Sequence, residues 1–335
     1  MRPFKYTHVN TVQSATQLVS THSNAKFLAG GTNILDLMKE DVERPDELLD
    51  ITFLKVADIK MITEGPNKGG VSLGALSNNT ETANHELIRL NHPLLTQAIL
   101  AGASAQIRNM ATNGGNLMQR TRCPYFYDVD MPCNKRVPGS GCGAMEGINR
   151  MHAIFGWSSK CIAVYPSDMA VALAVLDATV QVANSKGQQR RIAFTDFHRL
   201  PGENPEKDNN LLPGELITAI ELPPNKFASH SYYLKVRDRA SYAFALVSVA
   251  AGLELNGNNI VQAKIALGGV AHKPWRALRA EELLKGKEAT EANFQAAAEA
   301  EMNQAKPLEY NRFKVELGKR AIVRALDMAM NNGSK

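Results

Sequence analysis

The residues of this 335-residue sequence best suited to chemistry are its cysteines, because all four lie in one short, irregular stretch. Nine, eight and eighteen residues separate them, in the order Cys123, Cys133, Cys142 and Cys161. Four basic side chains lie beside them in the sequence: Arg120, Arg122, Lys135 and Arg136. Thiols concentrated in a loop with cations nearby predict a ligand site, although unrelated buried cysteines remain an alternative.

Three kinds of site compete for these thiols: two disulfides, a zinc ion or an iron–sulfur cluster. Disulfides require an oxidising compartment, and a chain of this length does not need such cross-links. Structural zinc favours cysteine pairs about two to four residues apart, and this sequence has no such pair. A [4Fe–4S] cluster accepts varied spacings, and cations near its sulfurs stabilise the reduced form. The spacing therefore favours iron–sulfur over zinc and leaves the disulfide alternative open.

Two glycine turns form a second pattern. "AGGTN" (residues 29–33) follows a predicted strand and opens a predicted helix, and "TNGGN" covers residues 112–116. Converging backbone N–H groups beside Thr and Asn donors at a helix start can bind a pyrophosphate. Neither turn has the G-x-G-x-x-G pattern, so no Rossmann fold follows. Each could be a plain tight turn, but the pair favours a dinucleotide held between two loops.

The spacing of apolar residues predicts the elements that position these groups. We expect helices over residues 14–22, 32–40 and 92–109, a strand over 26–31, and a loop insertion at about 119–165 that carries the cysteines. The pattern further predicts a helix capped by Ser167, a hairpin that turns at Lys186 and Gly187, and then long strands followed by helices. A boundary at residues 223–224 predicts two domains, 1–224 and 225–335.

Composition excludes some classes of function. The net charge of +5 is too small to indicate nucleic-acid binding, and no basic segment with interleaved aromatic residues is present. No run of 18 apolar residues occurs, so we expect no membrane span. The first residues lack an apolar signal region, so we expect no signal peptide in this chain.

Longer motifs resemble a known family. "KFLAGGTNILDLMK" and "RNMATNGGNLMQRTRCPYFYD" are similar to the FAD-binding subunit of molybdenum hydroxylases, the group that contains xanthine dehydrogenase and carbon monoxide dehydrogenase. The cysteine segment, "CIAVYPSDMAVAL", "YLKVRDRASYAFALVSVAAGLEL" and "IALGGVAHKPWRA" resemble the branch of periplasmic aldehyde oxidoreductases, whose flavin subunit carries an extra [4Fe–4S] cluster. The resemblance implies an α+β fold: a FAD-binding domain of the vanillyl-alcohol-oxidase (PCMH) type with two α/β subdomains, then a smaller domain with an antiparallel sheet and helices.

The resemblance also implies roles for individual residues. The FAD pyrophosphate would lie on the first turn, made of Lys26, Phe27, Leu28, Ala29, Gly30, Gly31, Thr32, Asn33 and Ile34. The second flavin loop would be Thr112, Asn113, Gly115 and Asn116, with a backbone rather than side-chain role for Asn113. Asp168 would contact the ribityl chain or ring, and Lys235 would lie by the isoalloxazine. The four cysteines would ligate the cluster.

Simpler interpretations exist for several of these residues. Asp168 could merely cap its helix, and Lys235 could be an exposed strand residue. We expect His272 to be structural, and Tyr125, Phe126 and Tyr127 to pack the loop.

The function implied is an electron-transfer subunit with no catalytic residue of its own. A molybdenum-cofactor large subunit would oxidise an aldehyde to its acid, and a small subunit with two [2Fe–2S] clusters would pass the electrons on. This chain would transfer them through FAD to an external acceptor, and its basic residues suggest an acidic carrier such as a ferredoxin. A 4-hydroxybenzoyl-CoA reductase arrangement is the alternative within the family. We expect the complex to be periplasmic through export with a signal-bearing partner, with the cytoplasm as the alternative.

Overall fold

The computed structural model describes residues 1–332, and its strands form three separate sheets. The first elements alternate strand and helix: β1 (Lys5–His8), α1 (Val12–Thr21), β2 (Ala25–Leu28), α2 (Ile34–Lys39) and β3 (Glu47–Asp50). β1 and β2 both pair with β3 in parallel. Parallel strands need crossover connections, and α1 serves as one of them. Because β2 ends at Leu28, the first glycine turn lies at the carboxyl edge of this sheet.

The second sheet is antiparallel and belongs to the middle of the chain, in the strand order β4-β5-β8-β6-β7. The elements of this part are β4 (Ile59–Met61), β5 (Val71–Gly74), α3 (Asn79–Asn84), α4 (Glu86–Asn91), α5 (Pro93–Ala101), α6 (Ala105–Met110), α7 (Asn113–Met118), α8 (Pro124–Tyr127), α9 (Gly143–Glu146), α10 (Asp168–Val175), β6 (Thr179–Ala183), β7 (Gln189–Ala193), α11 (Phe194–Phe197) and β8 (Leu216–Leu222). The predicted hairpin at Lys186 and Gly187 is confirmed, since it joins β6 to β7.

Two local predictions in this part are wrong. The single helix expected over 92–109 is broken between α5 and α6, where Ala103 has a positive φ of 50° and Ser104 caps the new helix. The turn expected at 112–116 is instead the start of α7, with the Thr112 side chain accepting a hydrogen bond from the N–H of Gly115. In both cases the residue type at the cap, Ser104 or Thr112, is common in turns and at helix N-caps alike, and here it begins a short helix.

α10 is the central helix of the core. All its residues from Met169 to Val175 are buried, as expected of a helix that is apolar on every side. It packs against α5 and the third sheet. Ser167 caps it as predicted, accepting from the N–H of Ala170 at 3.0 Å. This helix therefore fixes Asp168, its first residue, at the boundary between the two parts of the chain.

Residues 119–165, here called the cysteine loop, contain only the one-turn helices α8 and α9. The third sheet follows, antiparallel in the order β12-β11-β10-β9. Its elements and the final helices are β9 (Ser231–Val236), β10 (Val247–Asn256), β11 (Asn259–Gly268), β12 (Trp275–Arg276), α12 (Leu278–Leu284), α13 (Glu291–Met302) and α14 (Phe313–Asn332). The predicted α+β class, with an antiparallel sheet and helices in the C-terminal part, is confirmed. None of the helices within residues 1–332 has the length and apolar composition that a membrane crossing requires.

Lys314 is a fully buried cation where α14 meets the cysteine loop. Its Nζ donates to the carbonyl oxygens of His152 at 3.0 Å and Gly269 at 2.8 Å. No carboxylate forms an ion pair with it within the described residues. Burial lowers the pKa of this lysine from 10.5 to about 7.

This lysine predicts a pH dependence of stability. The unfolded chain holds the lysine proton up to about pH 10.5, whereas the folded protein loses it near pH 7. Below pH 7 the folded protein therefore bears the full cost of the buried charge. This cost falls as the pH rises toward 10.5, by at most about 1.4 kcal/mol per pH unit. We expect wild type to gain stability over a Lys314→Met variant as the pH rises. Urea unfolding of both proteins near pH 7 and near pH 9 measures the difference; parallel pH profiles would contradict this account.

Candidate functional site

The two glycine-containing segments face one cavity of about 420 Å³. From the first segment, residues 26, 27 and 29–34 line it, whereas Leu28 does not. From the second segment it is lined by Thr112, Gly114 and Gly115. The cavity is also lined by residues 211, 212, 214 and 215, at the end of a loop stretch, and by Leu216 and Ile217 at the start of β8. The structure thus brings together the two turns, which lie 80 residues apart in the chain.

The first turn is built to bind an anion. The backbone N–H groups of Gly30, Gly31, Thr32 and Asn33 donate to no acceptor within residues 1–332. The amide Nδ2 of Asn33 is buried without a partner, while its Oδ1 accepts from the N–H of Arg120 at 2.9 Å. A buried donor is normally satisfied, so this amide, together with the free N–H groups beside it, fits a ligand rich in acceptor oxygens, such as a pyrophosphate.

In the second segment some residues hold the loop in place and others line the cavity. Asn113 is completely buried and faces away from the cavity, with its side chain bonded to Thr82 and to the carbonyl of Gly74. Its neighbour Gly114, which sequence reasoning did not select, lines the cavity instead. Asn116 lines a second cavity, and its Oδ1 accepts from Ser167 at 2.5 Å. Asn113 therefore holds the loop and lines neither cavity.

The second cavity, of about 430 Å³, shares Thr32, Asn33 and Gly115 with the first. Asp168 and Lys235 both line it. The two cavities, adjacent through these three shared residues and here together called the cleft, suit a two-part ligand such as a dinucleotide.

Asp168 and Lys235 form a buried ion pair in this second cavity. Lys235 Nζ lies 2.8 Å from Asp168 Oδ2 and donates to the carbonyl of Ala101 at 3.1 Å. Tyr233, two residues along β9, donates its hydroxyl to Asp168 Oδ1 at 2.6 Å. Burial and the neighbouring Asp168 raise the pKa of Tyr233 well above its usual value, so it remains a donor. Lys235 is thus buried and paired, and not the exposed strand residue of the simpler interpretation.

All four cysteines line a separate small cavity in the cysteine loop. None forms a disulfide. Backbone N–H groups point at three of the sulfurs: those of Tyr125 and Phe126 at Cys123, those of Ala144, Met145 and Ile162 at Cys142, and that of Ala163 at Cys161. Such donors favour thiolate over thiol, which a metal site requires. The donor set therefore fits a thiolate-ligated centre.

The thiols differ in acidity. Burial raises the pKa of Cys123 to about 12, whereas a hydrogen bond from Cys161 lowers the pKa of Cys142 to about 6. Within residues 1–332 no three Cys, His, Asp or Glu side chains lie close enough together to hold one metal ion. A single zinc ion needs its four ligands at about 2.0–2.3 Å, so this arrangement does not support the zinc alternative.

The basic residues beside the cysteines point inward. Arg120 bonds Glu43 at 2.7 Å and Asp208 at 2.8 Å, and Lys135 bonds the same Asp208 at 2.5 Å. Arg136 donates to carbonyl oxygens of the cysteine loop, including that of Phe126. Burial alone would raise the pKa of Asp208, but Lys135 and Arg120 outweigh it and lower that pKa. Arg122, half-buried, donates to the carbonyl of Arg120 at 2.6 Å. These four cations form no exposed basic patch, which removes the electrostatic argument for docking an acidic carrier such as a ferredoxin.

Replacing Arg120 with Met should destabilise the chain by about 3 kcal/mol. The variant removes the closer partner of the Glu43 carboxylate, leaving Lys26 at 4.0 Å, and weakens the link from the cysteine loop to the first cavity. Breaking a buried pair costs about 3–5 kcal/mol. Chemical unfolding measures the change. Arg320→Met is the matched control, because Arg320 pairs with Glu316 on the exposed face of α14 and such pairs contribute under about 1 kcal/mol. Equal losses in the two variants would contradict a structural role for Arg120.

The three aromatic residues after Cys123 pack the loop, as predicted. Phe126 is buried beside Cys133 and Leu37. Tyr127 donates to Asp36 at 2.8 Å, and the Tyr125 hydroxyl accepts from the N–H of Ile148 at 2.7 Å.

Two histidines that sequence reasoning did not assign to the cysteine site contact it. His152 Nε2 lies 3.1 Å from Cys123 Sγ, and His272 Nε2 lies 3.2 Å from Cys161 Sγ. Burial lowers the pKa of His152 to about 4 and that of His272 well below its ordinary value. Neither spacing nor periodicity signals these contacts, since His272 lies 111 residues from its cysteine.

This combination of fold and sites is that of a flavin-binding redox subunit, and comparison with known proteins agrees. Residues 2–225 match the FAD binding domain in molybdopterin dehydrogenase, and residues 232–329 match the CO dehydrogenase flavoprotein C-terminal domain. The chain belongs to the FAD-binding subunits of the molybdenum hydroxylase family and is an oxidoreductase subunit.

Individual relatives narrow the comparison. The chain is 48% identical to the aldehyde oxidoreductase FAD-binding subunit PaoB of Escherichia coli, over 97% of this chain and 98% of that protein. It is 28% identical to the glyceraldehyde dehydrogenase medium chain of Sulfolobus acidocaldarius, over 85% and 82% of the two chains. The solved structure of reconstituted CO dehydrogenase from Oligotropha carboxidovorans superposes with a TM-score of 0.77 over 99% of both chains, at 22% identity, which bears on the fold alone.

Proposed function

We propose that this chain is the FAD- and [4Fe–4S]-carrying electron-transfer subunit of a molybdenum-dependent aldehyde oxidoreductase. The observation that carries the proposal is the 48% identity over nearly the full chain to an aldehyde oxidoreductase FAD-binding subunit. The partners would be a molybdenum-cofactor large subunit and a [2Fe–2S] small subunit in a heterotrimer, with an external electron acceptor. Relatives named medium chains, including that of glyceraldehyde dehydrogenase, support such an assembly.

In this proposal the cleft of two joined cavities holds FAD. The free N–H groups of residues 30–33 and the Asn33 amide bind the pyrophosphate oxygens. Asp168 and Lys235, fixed by each other and by Tyr233, line the second cavity, which would hold the flavin ring. Bound FAD supplies storage of two electrons with exchange one at a time. The residues of this chain bind and orient it and exclude water, and none of them performs a chemical step.

The cluster part of the proposal rests on the cysteine cavity. Four unlinked cysteines line one cavity, and backbone N–H groups point at three of the sulfurs. A [4Fe–4S] cube is held by four Cys thiolates, and four cysteines line this cavity. Bound there, the cluster supplies a one-electron centre.

The experiment is co-expression of the chain with its two partner subunits, followed by analysis of the purified complex. We expect FAD, iron and acid-labile sulfide in excess of the content of the two [2Fe–2S] clusters of the small subunit, and aldehyde-dependent reduction of an external acceptor. A complex that lacks this chain is the matched control, and it should reduce only artificial acceptors that take electrons from the partners. A complex without this excess iron and without FAD would refute the proposal. Reduction of an aromatic acyl-CoA thioester without aldehyde oxidation would instead favour the 4-hydroxybenzoyl-CoA reductase arrangement.

A further inference from the structure

His152 and His272 each place a ring nitrogen against a different cysteine sulfur. The Nε2–Sγ distances are 3.1 Å to Cys123 and 3.2 Å to Cys161. Both histidines are buried, with 3% and 7% of their surface exposed. At these distances each contact is a hydrogen bond between the ring and the sulfur.

Within residues 1–332 the hydrogen bond of each ring goes to the sulfur, and the backbone carbonyl of Asn149 lies near the His152 ring without forming a well-aligned bond. Nδ1 of His152 and Nδ1 of His272 are buried and have no hydrogen-bond partner within the described residues. Burying an unpaired polar nitrogen is unfavourable, and an apolar side chain would fill the same space without that cost. Packing alone therefore does not explain an imidazole at either position, whereas an N–H aimed at sulfur does.

The two rings are held from different parts of the chain. The carbonyl of His152, inside the cysteine loop, accepts from Asn311 and from the buried Lys314. His272 follows β11 in the C-terminal part, where the carbonyl of Ala271 accepts from the N–H of Tyr165 at 2.9 Å. Backbone bonds on both sides fix the rings in place, so each contact is preorganised.

We propose that the Nε2–H groups of His152 and His272 donate hydrogen bonds to the thiolates of Cys123 and Cys161 and thereby raise the reduction potential of the cluster. This inference rests on the cluster of the proposed function. The electron that a cluster gains places added negative charge on its sulfurs, and a donor aimed at a sulfur stabilises that charge. The histidines thus set how readily the cluster accepts an electron, without ligating iron.

The test is a redox titration of the purified complex, followed by electron paramagnetic resonance. Each of His152→Leu and His272→Leu should shift the reduction equilibrium about tenfold toward the oxidised cluster, which is about 59 mV for one electron. The double variant should show the sum of the two single shifts in potential, because the two hydrogen bonds reach different thiols. The His→Gln variants keep an N–H donor, so they should restore most of the wild-type reduction potential. Iron content and the flavin potential should not change.

His92→Leu is the matched control. His92 is buried with an unpaired Nδ1 but lies on none of the cavities described above, so its loss should leave the cluster potential unchanged. Leucine variants that keep their iron and the wild-type potential would overturn the inference. Glutamine variants that keep their iron but show the same lowered potential as the leucine variants would overturn it as well.

A measurement on wild type distinguishes the inference from the proposed function. If the wild-type complex contains no iron beyond that of the two [2Fe–2S] clusters of the small subunit, the proposed cluster is wrong and the inference falls with it. If that iron is present, pulsed resonance of the reduced protein with ¹⁵N-labelled histidine should detect coupling from two ring nitrogens. Iron without that coupling would overturn the inference while leaving the cluster intact, and this holds even if the leucine variants lose iron.

Discussion

Replacing Cys133 with Ser should remove iron and acid-labile sulfide from the protein while FAD remains bound. Cys133 lines the cavity shared by all four thiols, and the sequence contains no other cysteine that could substitute. A serine hydroxyl keeps its proton near neutral pH and is a poor ligand for a site that requires soft thiolates. No cysteine lines either part of the flavin cleft, so the loss should be confined to the cluster. Iron and sulfide analysis, with the visible spectrum for flavin, measures both.

The matched control for this substitution is Ser140→Ala. The Ser140 hydroxyl accepts a hydrogen bond from the N–H of Cys133 at 3.0 Å, so the control disturbs the same loop but keeps the thiol. A single hydrogen bond contributes about 1 kcal/mol, and the cluster should survive its loss. Wild-type iron content in the Cys133 variant would show that this cysteine is not a ligand.

Replacing Gly30 with Ala should abolish tight FAD binding and leave iron in place. A Cβ on residue 30 would lie 1.8 Å from the carbonyl oxygen of Met110 and 2.6 Å from its carbonyl carbon. These are backbone atoms at the end of α6, so no side-chain rotation relieves the clash, and the turn must move. Overpacking of this kind costs up to about 3 kcal/mol. Because the FAD-bound conformation bears this cost, the affinity for FAD should fall roughly 100-fold. Titration of the FAD-depleted protein with FAD measures the dissociation constant.

Gly65→Ala is the control for the glycine substitution. Gly65 has a positive φ of 80°, but a Cβ there would meet no atom within 4 Å. We expect about 1 kcal/mol of backbone strain and unchanged FAD affinity. If Gly30→Ala binds FAD as tightly as this control, the first turn is not the pyrophosphate site.

Much of the fold follows from short-range signals in the sequence. The apolar run after Ser167 predicts a buried helix, and Lys186 and Gly187 predict a hairpin; both are present. The clustering of the thiols and the two glycine turns also identified the segments that line the cavities. These features depend on periodicity and turn chemistry, which neighbouring residues determine. The helix break at Ala103 was missed although Gly102, the C-cap of α5, and Ser104, the N-cap of α6, both mark it in the sequence.

The tertiary structure decided the partners of the polar groups. Sequence order placed Arg120 and Lys135 beside the cysteines as apparent surface cations, but Asp208, more than 70 residues away, pairs with both and draws them inward. Asn113 lies in the predicted flavin loop, yet its side chain is satisfied by Thr82 and faces the scaffold. His272 reaches Cys161 across 111 residues. The sequence by itself determined which residue types could do chemistry and where the chain turns. What each of those residues touches depended on long-range packing, because a buried charge or hydrogen-bonding atom takes whichever partner the fold brings within reach.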